Sequence, residues 1–333
     1  MSTRDWSRLL LLGVLWGGSF FLGRIAVAEI APLALVLYRV SIAALALHVW
    51  LRVRGISLQP VLARPGAFLV LALLNNVIPF SLIFTGQTQI GAGLAAIFYA
   101  TTPLWTILVA NMLTSDEKLS GTVLSGIGLG IGGAAVVIGP DLSSGLDGPV
   151  WAKLAVIGAS ISYAFGVVYA KRFSHIRADL VATGQLTASS LLMLPIVAFI
   201  SGPQHLMATS ASAWLAIVTL GLVCTAFAFI LYFGLIASAG ATNASLVTLL
   251  VPLSAAALGA LALGERLHGF ELAGMALIIS SLIIIDGRLL QRAHRLLRSG
   301  SREMTDEHAR ATRLEHMTAA QAADRWQNAA SDI

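Results

Sequence analysis

Charged residues are scarce in this sequence of 333 residues. Asp, Glu, Lys and Arg make up 11% of the chain, against roughly a quarter in soluble globular proteins. Hydrophobic residues make up 57%, and the mean hydropathy is +0.84. Because a surface so poor in charge cannot be solvated over most of its area, the composition excludes a disordered chain, a soluble enzyme and a coiled coil.

Cysteine is almost absent, since Cys224 is the only one. One thiol excludes a disulfide framework within the chain and a zinc site built from cysteines. We therefore expect neither a metal nor another cofactor. The formal net charge is only +5, so nucleic acid is not an expected partner either.

Long hydrophobic runs are abundant, and they have the length of membrane-spanning helices. Such a helix needs about 20 apolar residues, whereas barrel strands alternate over about ten. The runs cover 9–28, 33–53, 66–88, 91–113, 121–138, 152–171, 180–201, 213–237, 242–263 and 269–287. No cleavage-site pattern follows the first run, so we interpret it as a retained helix. The sequence predicts an all-α polytopic membrane protein with ten transmembrane helices.

An internal repeat relates the two halves of the chain. Residues 75–113 match residues 224–262 at an offset of 149. The matched pairs include Phe80 with Phe229, Phe84 with Phe233, Gly91-Ala92 with Gly240-Ala241, and Pro103-Leu104 with Pro252-Leu253. After a gap of one residue, Glu117-Lys118-Leu119 matches Glu265-Arg266-Leu267. A weaker match of 14–40 with 158–186 extends the repeat to five helices per half.

An odd number of helices per repeat determines the topology of the second half. A five-helix unit ends on the side opposite to its start, so its copy enters the membrane inverted. The predicted domains are repeat 1 at 9–138, repeat 2 at 152–287, and a basic segment with a tail at 288–333. Inverted repeats are typical of secondary transporters, which bind substrate near the midplane and work by alternating access.

Several short motifs make this architecture specific. They are Leu15-Trp16-Gly17-Gly18, Leu37-Tyr38-Arg39, Pro103, Asp116-Glu117-Lys118-Leu119 and Leu263-Gly264-Glu265-Arg266-Leu267. From about residue 9 to 287 the sequence resembles the EamA-type transporters of the drug/metabolite transporter superfamily. Helix 6 departs from that pattern at Ser160-Ile161-Ser162-Tyr163. The resemblance implies export or exchange of small metabolites, often amino acids, across the bacterial inner membrane.

Arg39 is the sharpest candidate for substrate binding. It lies about six residues, or roughly 9 Å, into helix 2. A charge at this depth usually faces a cavity, a partner or, by snorkelling, the interface. Arg39 could therefore bind a substrate carboxylate or anchor the outer rim. Gln185 falls near the equivalent place in helix 7. Because it is polar but uncharged, it does not decide between carboxylate binding and a structural anchor.

Prolines and polar residues mark further candidate positions. Pro79, Pro103 and Pro252 predict kinks because proline removes a backbone hydrogen bond, and such interruptions point to transporter sites. The candidate substrate-binding residues are Trp16, Arg39, Asn75, Asn76, Tyr99, Trp105, Tyr163, Tyr232, Asn243 and Ser245. Asn75 and Asn76 could equally complete the helix break at Pro79, and each aromatic ring could instead be packing or part of an interface belt.

Two smaller features are interpreted as structural. Glu117 and Glu265 each precede a helix, where a carboxylate stabilises the N-terminal end of the dipole. The glycine run Gly126-x-Gly128-x-Gly130-x-Gly132-Gly133 follows no strand, so we interpret it as close helix packing and not as a nucleotide loop.

Other functional classes fit the sequence less well. A membrane-embedded enzyme would need paired carboxylates or a nucleophile set at membrane depth, and a channel would need a filter loop or charged ring. The remaining alternative is a proton-coupled exporter, for which His48 is the deepest titratable group other than Arg39. With no carboxylate at a helix centre, we favour a facilitator or exchanger of amino acids. Its partners would be this substrate and membrane lipids, and we expect a monomer.

The positions of Lys and Arg predict the orientation. Thirteen of them fall in segments on the side of the N-terminus, including residues 288–298, and three fall on the other side. By the positive-inside rule, both termini are cytoplasmic. A C-terminal reporter fusion should therefore be active as a cytoplasmic green fluorescent protein and inactive as a periplasmic alkaline phosphatase. The reverse pattern would contradict this topology.

Overall fold

The computed structural model describes residues 2–113, 121–138, 148–200, 210–239 and 247–286. Over these ranges the chain is helical and contains no strand. Seven helices are long and apolar enough to cross a membrane, and three shorter apolar helices cover Gly121–Val137, Leu250–Leu263 and Gly269–Ile285. The protein is an all-α polytopic membrane protein whose ten helices form two inverted five-helix repeats, as the sequence predicts.

We number the spanning helices α1 to α10. The first repeat contains α1 Thr3–Ala26, α2 Pro32–Val53, α3 Pro65–Gln87, α4 Ala92–Leu113 and α5 Gly121–Ile138. The second contains α6 Val150–Ala170, α7 Ala178–Ile200, α8 in the three segments Ala211–Gly221, Leu222–Phe227 and Ala228–Ala239, α9 Val247–Leu263, and α10 Gly269–Asp286. Contacts divide the chain into Met1–Leu282 and Ile283–Ile333, and the packing below is that of the first unit. In the second unit the structure describes only the end of α10.

Helix α1 begins earlier than hydropathy predicts, at Thr3 instead of residue 9. Ser2 and Asp5 form a capping box, in which the Ser2 hydroxyl accepts from Asp5 N at 3.2 Å and Ser2 N donates to the Asp5 carboxylate at 3.0 Å. Reciprocal capping stabilises a polar first turn that apolar run length does not detect.

Basic residues gather at one end of the helices, which we call the basic end. Its described members are Arg4, Arg8, Arg52, Arg54, Arg64, Lys171, Arg172 and Arg177. Between the two ends, large apolar side chains are exposed, among them Leu45 at 67% and Leu191 at 62%. Water does not solvate such a surface, whereas lipid chains do.

Close helix contacts across the repeats rely on glycine. Gly13 and Gly17 of α1 face α9, and the Ser254 hydroxyl donates to the Gly13 carbonyl at 2.8 Å. In α5, a Cβ at Gly133 would lie 2.9 Å from the Gly274 carbonyl of α10. A Cβ at Gly128 would have no neighbour within 4 Å. Only part of the predicted glycine run therefore packs against another helix.

Helices α3 and α8 each contain a π-helical segment, at Leu73–Val77 and Leu222–Phe227. The repeat offset of 149 maps the first segment onto the second. Each helix changes neighbours there. The first half of α3 packs on α7, and its second half packs on α6 and α2. The first half of α8 packs on α2 and α1, and its second half packs on α1 and α7.

Three side chains cap or tie helices of the other repeat. The Glu265 carboxylate accepts from Ala92 N at 2.9 Å and Gly93 N at 3.2 Å, so it caps α4. Glu265 was expected to cap α10, which is the next helix in the chain, and this prediction was wrong. Glu29 accepts from Ser210 N at 2.9 Å and from the Ser210 hydroxyl at the start of α8. At the basic end, the Ser238 hydroxyl of α8 donates to Asp5 of α1 at 2.7 Å.

Glu117, which the internal repeat aligns with Glu265, lies outside the described residues. Capping across the repeats could not be anticipated from sequence, because the carboxylate and the amides that it binds are far apart in the chain.

The α5–α10 contact gives a stability test with a matched control. Gly133→Ala places a methyl group against the Gly274 carbonyl and should cost about 1–3 kcal/mol, or a fall in Tm of several degrees. Gly128→Ala lies in the same helix with open space around it, so its better helix propensity should keep or raise Tm. Thermal unfolding in detergent measures both. Equal Tm values for the two variants would contradict this packing.

Candidate functional site

Aromatic side chains from five helices form two sets of ring contacts in the same core, and we call them together the aromatic cluster. Its members are Trp16, Phe20, Phe80, Tyr99, Tyr163 and Tyr232. Ring centroids are 5.2 Å apart for Trp16 and Tyr232, and 5.7 Å apart for Tyr99 and Tyr163. The Phe80 ring also contacts Tyr163, and the Phe20 ring contacts Tyr99. Four of the predicted candidates thus lie in this core as two pairs of neighbouring rings, and the tyrosines add hydroxyl groups to an apolar wall.

Arg39 lies beside the aromatic cluster and points into the protein. It is 7% exposed, and its guanidinium carbon lies 4.0 Å from the centre of the Phe80 ring. Its Nε donates to the Thr225 hydroxyl at 2.9 Å. Within the described ranges, no Asp or Glu forms an ion pair with Arg39. The cation is thus held by an aromatic face and a hydroxyl, and its charge is not neutralised by a carboxylate of these ranges.

Thr225 positions Arg39 from the π-helical segment of α8. Its hydroxyl also donates to the Leu220 carbonyl at 2.7 Å. That bond helps to satisfy the backbone where the regular helical pattern shifts, which is a requirement inside a bilayer. The same hydroxyl oxygen accepts the hydrogen bond from Arg39, so the irregular turn and the buried cation depend on one side chain.

The π-helical segment of α3 carries Asn75 and Asn76, and both face α7. The Asn76 amide donates to the Ser189 hydroxyl at 3.0 Å, and the Asn75 amide donates to Gln185 at 3.4 Å. Pro79 has no N–H to offer the preceding turn. The Leu74 carbonyl instead accepts from the Ser162 hydroxyl of α6 at 2.8 Å. A neighbouring helix therefore satisfies the interrupted turn.

The repeat relates these two polar contacts. The offset of 149 places Asn76 opposite Thr225, and the weaker alignment places Arg39 opposite Gln185. In each case a polar side chain of α2 or α7 bonds to the π-helical segment of the other repeat. Their chemistry differs, because one contact contains a buried cation and the other only amides and hydroxyls.

The remaining candidates lie apart from this group or outside the description. Trp105 donates to the Thr101 hydroxyl at 3.1 Å, and among described residues it makes no ring contact with the aromatic cluster. Helix α4 is interrupted after Tyr99 and resumes at Thr102, just before Pro103. Helix α9 is helical through Pro252, so a kink there stays a prediction. Asn243 and Ser245 lie outside the described residues.

Sequence reasoning missed Phe20, Phe80, Thr225 and Ser162 as parts of the site. The internal repeat pairs Phe80 with Phe229, and this pairing could have identified Phe80 as a candidate. Thr225 aligns with Asn76, which was a candidate, and this equivalence would have identified Thr225.

Within the described ranges, no group of three or more His, Cys, Asp or Glu residues could hold a metal ion.

Comparison with known proteins identifies a transporter family. The family model of the EamA-like transporter family matches residues 7–139 and 150–286. The uncharacterized inner membrane transporter YedA of Escherichia coli K12 is 27% identical, over 83% of this chain and 89% of its own. Protein PagO of Salmonella typhimurium is 28% identical, over 85% and 92%.

Another relative is named a probable amino-acid metabolite efflux pump, from E. coli K12. It is 25% identical, over 85% of this chain and 95% of its own. A solved structure, described only as the crystal structure of a protein, superposes with a TM-score of 0.64. It is 20% identical and covers 87% of this chain and 99% of its own, so the likeness is one of fold.

The hydroxyl of Thr225 can be tested without knowing the substrate. Thr225→Val keeps the shape of the side chain but removes the acceptor for Arg39, and hydrogen bonds to charged groups contribute about 1.5–3 kcal/mol. We expect Tm to fall by several degrees in Thr225→Val. Thr225→Ser, which retains the hydroxyl, should stay nearer to wild type. If both variants unfold at the same temperature, this bond does not support the site.

Proposed function

The chain belongs to the EamA-like transporter family, and on that basis we propose that it exports or exchanges a neutral amino acid or related metabolite across the bacterial inner membrane. Membrane transport is the activity stated in the names of the family and of two of these relatives, YedA and the probable amino-acid metabolite efflux pump. The relative named a probable amino-acid metabolite efflux pump supports the finer substrate class. The concentration of basic residues at one end supports an orientation with that end in the cytoplasm.

One observation carries the substrate class: Arg39 is buried, and no carboxylate of the described ranges neutralises it. Removing a cation from water costs several kcal/mol unless an anion or strong hydrogen bonds compensate. A guanidinium has five N–H donors arranged for a carboxylate, and the bond to Thr225 uses one of them. A substrate carboxylate would supply the missing charge.

Other groups in the protein interior suit the rest of an amino acid. Asn76 is 1% exposed, and its side-chain oxygen has no hydrogen-bond partner among the described residues. It could accept from a substrate ammonium group. The aromatic cluster offers an apolar surface with tyrosine hydroxyls for the substrate side chain. A cation, an acceptor and an apolar wall together favour a zwitterion with a neutral side chain.

The distribution of carboxylates supports a facilitator or exchanger. Every Asp and Glu of the described ranges lies within a few residues of a helix end, on α1, α7 and α10 or in the joints between helices. Proton-driven carriers usually titrate a carboxylate inside the membrane. His48 is half-buried and its Nε2 lies 2.9 Å from the Thr187 hydroxyl, so it is the residue on which the alternative, a proton-coupled exporter, would depend.

The experiment measures uptake of radiolabelled neutral amino acids into proteoliposomes, with the corresponding amines that lack the carboxylate as competitors. Wild type should prefer the amino acid. Arg39→Gln should lose about tenfold to a hundredfold in apparent affinity and with it the preference over the amine, because a charged hydrogen bond is lost. Arg52→Gln, an exposed residue of the same helix, is the matched control and should behave as wild type.

The same vesicles test coupling when a pH gradient is imposed. Solute should equilibrate across the membrane and not accumulate above the external concentration. Accumulation that a protonophore abolishes would support the proton-coupled alternative and direct attention to His48. If no amino acid is taken up, or Arg39→Gln retains the preference for the carboxylate, the proposed substrate class is wrong.

A further inference from the structure

A cavity lies at the basic end of the helices. Its volume is about 280 Å³, and it is bounded by α2, α7 and α8. Apolar side chains, including Leu47, Phe229 and Ile230, form most of its wall. Trp50, Arg177 and Asp179 supply polar groups. We call it the α2–α7–α8 crevice.

The crevice follows from the π-helical segment of α8. Up to Phe227 the helix packs on α2, whereas after the segment it packs on α1 and α7. The second half of α8 therefore diverges from α2 and leaves a gap. Phe229 lines the gap, and its repeat equivalent Phe80 is covered by the guanidinium of Arg39.

The polar groups of the crevice form a compact zwitterion. Arg177 Nη2 donates to the Asp179 carboxylate at 2.9 Å and Arg177 Nε at 3.2 Å, and Leu180 N donates to the same group at 3.0 Å. These bonds use two of the five arginine donors and leave one lone-pair position of the carboxylate. A ligand that carries both an anion and an ammonium group could bond to both partners without breaking the pair.

The position of the crevice determines which ligand reaches it. On α2, Val49 and Val53 flank Trp50 in the helix and are 63% and 80% exposed, so lipid chains meet the helix beside the crevice. Arg177 and Asp179 lie where α7 begins, at the depth of the head groups. Tryptophan is typical of this interface. A bilayer lipid can therefore place its head group at the ion pair and a chain along the apolar wall.

We propose that the α2–α7–α8 crevice binds a phospholipid with a zwitterionic, primary-amine head group, phosphatidylethanolamine. Its phosphate bonds to the free donors of Arg177, and its ammonium group donates to Asp179. Phosphatidylcholine has the same charges but no N–H donor, and phosphatidylglycerol has no ammonium group. The lipid occupies the space between α2 and the second half of α8, so it favours the arrangement in which these two helices stay apart.

The test follows the Tm of the purified full chain in detergent during titration with each of the three lipids. Phosphatidylethanolamine at tenfold its Kd should raise Tm by about 3 °C, and the other two lipids by less than half as much. Asp179→Asn removes the anion, and Ala178→Trp blocks the crevice without touching the ion pair. Both variants should lose the preference for phosphatidylethanolamine. Arg172→Ala, at the same end but outside the crevice, is the control and should keep it.

The outcomes separate a site from general lipid stabilisation. Equal responses of the wild-type protein to all three lipids would overturn the proposal, as would a preference retained in Asp179→Asn or Ala178→Trp. If Asp179→Asn does not fold, Ala178→Trp decides alone. None of these measurements needs the transported solute, so they stand whether or not that solute is an amino acid.

Discussion

Inside a bilayer every backbone polar group needs a partner within the protein, and this constraint shapes the centre of the molecule. The π-helical segments of α3 and α8 interrupt the regular pattern, and hydroxyl groups satisfy carbonyls at both. Ser162 reaches the Leu74 carbonyl from another helix, and Thr225 bonds within its own helix to Leu220. Asn75, Asn76 and Thr225 of the candidate site belong to these segments. These polar side chains thus lie where the two helices are least regular.

The two repeats use this constraint differently, and the difference creates a site. At α3 the partners are uncharged amides and hydroxyls that bond to one another, and the Asn76 side-chain oxygen has no partner among the described residues. At α8 the partner is Arg39, whose charge exceeds what a hydroxyl and a phenyl face can compensate. The repeat relates the two contacts, but one contains the Gln185 amide and the other the Arg39 guanidinium. In the proposed function, a substrate carboxylate would neutralise the charge of the second.

Much of the fold follows from local properties of the chain. Ten apolar runs, a charge bias and matched prolines predict helices and an inverted repeat, because each depends on residues within one segment. Two features could not be predicted in this way. The start of α1 depends on a capping box, and the role of Glu265 depends on a helix of the other repeat. In the site, the tyrosines and Arg39 were identifiable as unusual residues at depth. Their grouping with Phe80 and Thr225 required the packing of five helices.

Helix α1 is tied to α8 at both membrane faces, through Asp5 and Ser238 at one end and Glu29 and Ser210 at the other. Hydrogen bonds at both ends of the two helices oppose their sliding past each other or moving apart. Helix α1 is therefore held by helices of the second repeat, although its sequence belongs to the first. A movement that separated the two repeats as rigid units would have to break these contacts and the packing of α1 on α9. An alternating-access cycle that kept them would divide the protein along a line other than the boundary between the duplicated sequences.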